Sequence, residues 1–447
     1  MKRLTLLILI AIWPLTARAG ESAPAKAELR RQCDELIARA VKRPYGWGWT
    51  EDAPEQRPKG GGQPVSMEPG GTAAAGFVLY WAGDLLDEPR YKDAAVQAAR
   101  GIVASQRSTG AVIARPMFLP NVAGAKEPAA LVADRTPTCA AMGLLLTILE
   151  DAGAPDPAIK GSALRGLNWL LHQQPANGAW MQADPPSTQP SDAVRLIRLD
   201  NGDWRNCTFT LLLAAEVLND SRCSRAVEKS NARLMRLRIG DQSRIGRPLW
   251  ATAYGAGIDA TPSDRLGDYP PGVDPLATRF AMETLLATVL ALGDPPKQLV
   301  EEQPPVPSAA LADAAAAVEK LPKYGGKWMR NYDFDVTATV PPPPEQRVEG
   351  SLLAAPPQAK QATGLWGLNP VLRAVDVLNK EGRTGLGKRL ALELSLHQRL
   401  CAAVCGLEEQ PFRLSDQEIE WAVRVDENKT AVRVVRLWKL VRQMRKG

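Results

Sequence analysis

The chain has 447 residues, enough for one large domain or two smaller ones, each with an ample core. Its formal charge is +6, from 55 basic and 49 acidic residues, and a chain so near balance is not a nucleic-acid binder by composition. Only two histidines occur, His172 and His397, so histidine-based zinc or Ser-His-Asp chemistry would have to run through one of them, and neither stands in such a motif.

Residues 1–19 read as an export signal. Lys2 and Arg3 form a charged start, an apolar run follows from Leu4 to Leu15, and Ala17, Arg18 and Ala19 make a small-residue cleavage site. Cleavage would remove Lys2, Arg3 and Arg18 and lower the formal charge from +6 to +3. No later stretch reaches the roughly 18 uninterrupted apolar residues of a membrane helix. The expectation is a periplasmic or secreted protein without a stable membrane anchor. Six cysteines match no zinc spacing, and Cys401 and Cys405, four apart, suggest a buried thiol pair or, equally, a disulfide elsewhere.

Apolar spacing predicts helices over 27–41, 73–87, 91–107, 137–152, 159–174, 207–218, 222–237 and 275–292. Sustained apolar–polar alternation is nearly absent. A glycine- and proline-rich loop at 43–72 carries Tyr45, Trp47 and Trp49, which read as a lid or as a plug. Long connections at 110–136, 180–206 and 239–272 alternate with short ones, as helical hairpins with one elaborated face require. Proline runs at 294–308 and 340–357 enclose a helix at 309–321, and further helices are expected at 372–378, 389–405, 417–425 and 431–445. Basic residues crowding the last helix read as a solvated face. The expected organisation is a signal at 1–19, a toroidal domain at 20–335, a proline-rich linker at 336–361 and a C-terminal helical extension at 362–447.

One pattern occurs twice. A leucine-rich helix ends at Gln173 and Gln174, turns at Asn177 and Gly178 and resumes at Trp180; a looser copy runs through Gln106, Gly110 and Val112. Repetition of helix, glutamine, glycine turn and large residue is the mark of a ring of hairpins, and it predicts an all-α, (α/α) toroid fold.

The Gln173, Asn177, Gly178, Trp180 spacing resembles the pectic acid lyases of polysaccharide lyase family ten. Further resemblance lies in Leu199 to Asp203, in Pro248 to Tyr254, in Asp274 to Phe280, and in the closing Trp328, Arg330, Tyr332, Asp333. It spans roughly residues 76–335. That family's fold is an incomplete toroid of paired helices. The resemblance implies cleavage of acidic polysaccharide by calcium-assisted β-elimination. Asp200 and Asp203 would hold calcium, a hard cation that takes oxygen ligands. Arg247 and Arg330 are the candidate catalytic residues and Arg279 a carboxylate clamp. Trp180, Trp250 and Tyr254 would stack on sugar rings.

Each assignment has a structural alternative. Asp203 stands where an N-cap would, each arginine suits an ion pair, and Trp180 suits a plug between helices. The chain also has Gly178-Ala179-Trp180-Met181 where the family usually has Gly-Gly-Trp-Pro, and Val336 to Thr339 where members commonly carry Arg-Pro. A catalytically inactive toroid that binds glycan or protein is therefore the second reading. A terpenoid-cyclase-like toroid is the third, disfavoured because no Asp-x-Asp-Asp motif occurs.

Overall fold

The computed structural model describes residues 23–51, 62–68, 70–120, 125–126, 135–151, 156–183, 195–199, 202–239, 249–255, 262, 272–294, 306–321, 323–324, 327–328, 368–385 and 430–446. The expected signal, the proline-rich linker and the helices at 389–405 and 417–425 lie outside them.

The fold is all-α, as the spacing predicted. Four hairpins follow one another: helix α1 (Ala23–Ala38) precedes them, then come α2 (Thr72–Leu86) with α3 (Pro89–Ala104), α4 (Arg135–Asp151) with α5 (Pro157–Gln173), α6 (Asp203–Val217) with α7 (Ser221–Arg236), and α8 (Pro275–Ala291) with α9 (Pro307–Glu319). The first helix of each hairpin packs on the first helix of the next, so α2, α4, α6 and α8 form an inner row. These inner helices are buried almost all round, whereas α7 buries only one stripe. A helix apolar on every side belongs inside; an amphipathic one belongs at the wall.

Start and stop signals are local. Pro89, Pro157, Pro275 and Pro307 each open a helix, where a missing N–H costs nothing. The carboxylates of Asp156, Asp220 and Asp274 cap α5, α7 and α8 by accepting a backbone N–H. Asp203 is not the cap of its helix: Gly202, at φ 71°, holds that place, and Asp203 is the first helical residue.

Strands are short. Two form a hairpin at β1 (Val41–Arg43) and β2 (Gly46–Gly48). Three make the antiparallel sheet β3 (Gln63–Pro64), β4 (Met117–Phe118), β5 (Ala125–Lys126). Another three make β6 (Met181–Ala183), β7 (Arg195–Arg198), β8 (Ala253–Gly255). A last pair joins β9 (Lys323–Tyr324) to β10 (Lys327–Trp328).

The repeated glutamine turn has a mechanical role. Gln106 Nε2 donates to the carbonyls of Gly110 and Ser162, each at 2.9 Å. Gln174 Nε2 donates to Gly178 O at 3.3 Å and Ala226 O at 3.0 Å. Each amide thus closes its own turn and pins it to the next outer helix. Gly110 (φ 101°) and Gly178 (φ 81°) are needed twice over, for their left-handed backbone and because a Cβ would lie 2.2 Å from Arg165 O or 2.5 Å from Lys229 O.

Helix α10 (Leu368–Gly385) packs on α8 and α9, and α11 (Thr430–Lys446) packs on α1 and α2. The last helix is therefore built into the start of the helical array. Val434, Leu437, Trp438 and Val441 are buried there, with the Trp438 ring 5.7 Å from that of Phe77.

Candidate functional site

Short links join each inner helix to its outer partner, and the long links return to the start of the next inner helix. The chain that leads into α4, α6 and α8 is therefore the longer connection in each case. The sheet β6–β7–β8 belongs to these connections: Met181 pairs with Ile197, and Ile197 with Tyr254. It ties together three segments singled out by sequence, those around Trp180, Leu199 and Trp250.

Five charged side chains of these helices form two ion-paired groups, from Arg135 and Asp203 at the helix starts to Glu283 at the middle of α8. Arg135, first residue of α4, donates from Nε (2.9 Å) and Nη2 (2.6 Å) to Asp203 Oδ2, first residue of α6. The pair is nearly closed off, with side-chain exposures of 11% and 6%. Burial would favour the neutral form of Arg135, but Asp203 outweighs it and raises the arginine's pKa, fixing the positive charge. Trp180 lies 5.9 Å from the same guanidinium.

One turn along, Arg205 Nη1 donates to Glu283 Oε2 at 2.8 Å and Arg279 Nε to Glu283 Oε1 at 2.6 Å. Arg205 also donates from Nε and Nη2 to Asn206 Oδ1. Glu283 is fully enclosed and the two arginines almost so. The Phe280 ring is shared, its centroid 4.5 Å from Arg205 Cζ and 5.1 Å from Arg279 Cζ. Among the described residues, the group sets three arginines beside two carboxylates. Removing five charges from water is expensive, and such clusters are found where charge is needed for function or to specify a unique packing. Each guanidinium in it is paired within the protein and nearly shut off from solvent. Both carboxylates are engaged by guanidinium, so neither is placed to take a proton from a ligand.

The sequence-predicted residues fall into three sets. Asp203 and Arg279 belong to the cluster, each in an ion pair. Trp180, Trp250 and Tyr254 are in the core. Trp180 Nε1 donates to Ser230 Oγ at 3.1 Å, Trp250 Nε1 to Leu234 O at 2.9 Å, and Tyr254 Oη accepts from Ala251 N at 2.7 Å. Each ring is at most 1% exposed, so these three side chains plug the junction between helices and sheet. Trp49 is a plug of the same kind, its Nε1 donating to Leu36 O at 2.8 Å. Asp200, Arg247 and Arg330 lie outside the described residues, as do Cys401 and Cys405; in sequence Asp200 directly follows Leu199, and Arg247 precedes Leu249 by two.

Sequence reasoning missed Arg135, Arg205 and Glu283. Glu283 was findable: it is the lone acid in the apolar helix 275–291, with Arg279 four residues before it, an arrangement that pairs on a helix face. Arg205 stands between Asp203 and Asn206, where a charge on a polar helix start gives no such sign. Arg135 carries none either.

Calcium was expected on Asp200 and Asp203. Asp203 Oδ2 already accepts both Arg135 bonds, and its Oδ1 faces Cys207 Sγ at 3.8 Å. No group of three metal-ligating side chains occurs among the described residues. A divalent ion on Asp203 would meet a guanidinium, so the described residues do not by themselves build that site.

No family model matches the chain, and no curated protein does. Among solved structures it is similar to a mutant family 10 polysaccharide lyase from Cellvibrio cellulosa in complex with trigalacturonic acid, at 16% identity and a TM-score of 0.39, over 60% of this chain and 86% of that one. It is also similar to an apo beta-1,3-1,4-glucanase from Paenibacillus sp. X4, at 10% identity and a TM-score of 0.43, over 94% and 92%. Likeness at this level does not bear on activity. No helix among the described residues is long and apolar enough to cross a membrane.

Proposed function

We propose that the chain is an exported carbohydrate-active protein of toroidal architecture that takes acidic polysaccharide at the N-terminal ends of its inner helices. The observation that supports the reading is the pair Arg135–Asp203 at the first residues of α4 and α6, with Arg205, Glu283 and Arg279 further along α6 and α8. Guanidinium groups suit uronate carboxylates through paired N–H donors. Positive helix ends add to the same field.

The finer reading, drawn from the sequence resemblance, is a pectate-lyase-type β-elimination. A base takes the ring proton beside the uronate carboxylate, and the leaving sugar departs across the new double bond. Arg247 and Arg330 are the proposed catalytic arginines. An arginine acts as base only in a dry, cation-rich setting, since its ordinary pKa exceeds about 12. Calcium enters as a proposal to be titrated, with Asp200 among its ligands and no step resting on it.

A second reading, glycan binding without cleavage, is favoured by one observation: Asp203 and Arg279 are each already neutralised within the protein.

Incubation with polygalacturonate, with calcium and then with a chelator, separates the two. Ultraviolet absorbance that grows as unsaturated ends form supports the lyase, and Arg247→Ala should abolish the growth while leaving the melting temperature unchanged. Retention on immobilised polygalacturonate without such growth supports binding alone. Neither signal would overturn both.

A further inference from the structure

The inner helices α4 and α6 are in register at a second level beneath the Arg135–Asp203 pair. One turn into each helix stand Cys139 and Cys207, both wholly buried, their Sγ atoms 3.9 Å apart. Four residues separate Arg135 from Cys139 and Asp203 from Cys207, so each cysteine lies directly below its charged neighbour on the same helix face. The other described cysteines, Cys33 and Cys223, are buried as free thiols on α1 and α7. Closing the gap between Cys139 and Cys207 to a covalent bond needs a movement of about 2 Å, within reach of side-chain rotation and a small helix adjustment.

We infer that Cys139 and Cys207 form a disulfide modification site that clamps α4 to α6 under the Arg135–Asp203 pair. The reaction is thiol–disulfide exchange with a disulfide-bearing oxidant, small or protein. One cysteine thiolate attacks the oxidant's S–S bond, forming a mixed disulfide and releasing one oxidant thiol. The second cysteine then attacks the mixed disulfide, forming Cys139–Cys207 and releasing the other thiol. Two hydrogens and two electrons pass from the cysteines to the oxidant.

The buried thiols are poor nucleophiles once the helices have docked: desolvation, and then the neighbouring Cys139, raise the Cys207 pKa well above its ordinary value. Exchange therefore belongs to the folding chain, before α4 and α6 close. The bond would enclose a stretch of 68 residues, long enough for a marked restriction of the unfolded state. It also takes the Cys207 thiol donor from Asp203. The inference is independent of the substrate reading.

The test needs no variant. Full-length protein is refolded with oxidised glutathione, unfolded without reductant, alkylated and digested. A peptide joining Cys139 to Cys207 is expected, lost on reduction, together with a melting temperature about 5 °C or more above that of the reduced protein. Alkylated Cys139 and Cys207, or either one joined to another cysteine, would overturn it. Cys139→Ala, Cys207→Ala and the double variant should each lower the oxidised melting temperature by the same amount, because either change removes the whole bond; additive losses would contradict the clamp.

Discussion

Glu283 holds two guanidinium groups in a space closed to water. Replacing it with glutamine keeps the shape and removes the charge, leaving Arg205 and Arg279 buried beside each other without their shared counter-charge. Breaking a buried pair from one side costs about 3–5 kcal/mol, and Glu283→Gln is expected to lower unfolding stability by that amount in urea. A change below about 1 kcal/mol would show that the cluster is wetter than described. Glycines offer a sharper contrast. Gly178→Ala meets a left-handed backbone and Lys229 O, so a loss of about 2 kcal/mol or more is expected. Gly161, inside α5, has only the end of the Arg165 side chain near its added Cβ, at 3.5 Å, and Gly161→Ala should stabilise by about 0.5–1 kcal/mol. Equal effects at the two sites would contradict the turn geometry.

At the scale of elements, the helices were readable because their signals are local. Apolar spacing placed α2 to α9 within a few residues, while the proline openers and aspartate caps set starts up to a few residues earlier than the apolar pattern begins. The glutamine turn was visible as a repeat, yet the residue that acts is Gln174 rather than its neighbour Gln173, since only contact with Ala226 on another helix distinguishes them. The site was less legible for the same reason. Asp203 and Arg279 were named, but their partners Arg135 and Glu283 stand 68 residues and one turn away, on separate helices or hidden in an apolar run. Nothing along the chain said that Trp250 and Tyr254 face inward. Removing a pin should tell: Gln106→Ala and Gln174→Ala should each cost about 1–2 kcal/mol, and their sum should match the double variant, because the two turns share no partner.

Helices α2, α3 and α4 are also tied by charge. Asp151 accepts from Tyr80 Oη and pairs with Lys92 Nζ at 3.0 Å. The tyrosine bond first, and then Lys92, hold its carboxyl below the usual range. A depressed carboxylate contributes stability above its unfolded pKa of about 3.9 and loses it as pH falls through the lower folded value. Asp151 is more than half exposed, so the contribution is under about 1 kcal/mol. Unfolding of the wild type and of Asp151→Asn should differ at pH 6 and converge in strong acid; a difference that persists there would place the effect outside that carboxyl.

Over the whole molecule, the last helix decides whether the C-terminal part is an appendage. Trp438 and its buried neighbours cover α1 and α2, and Arg433 reaches Glu35 at 2.7 Å. Ending the chain after residue 429 removes five buried apolar side chains of α11, each contributing about 1.5–3 kcal/mol as an upper bound. The melting temperature should fall by roughly 8 °C or more. An unchanged value would mean that the extension stands apart.

The central proposal is that the inner-helix starts take an acidic glycan, and titration calorimetry of the full-length protein tests it most directly. Oligogalacturonate should bind, with affinity that falls as salt rises from about 0.05 to 0.5 M, while a neutral oligosaccharide of the same length should not. Equal binding of both, or heat from neither, would contradict the account.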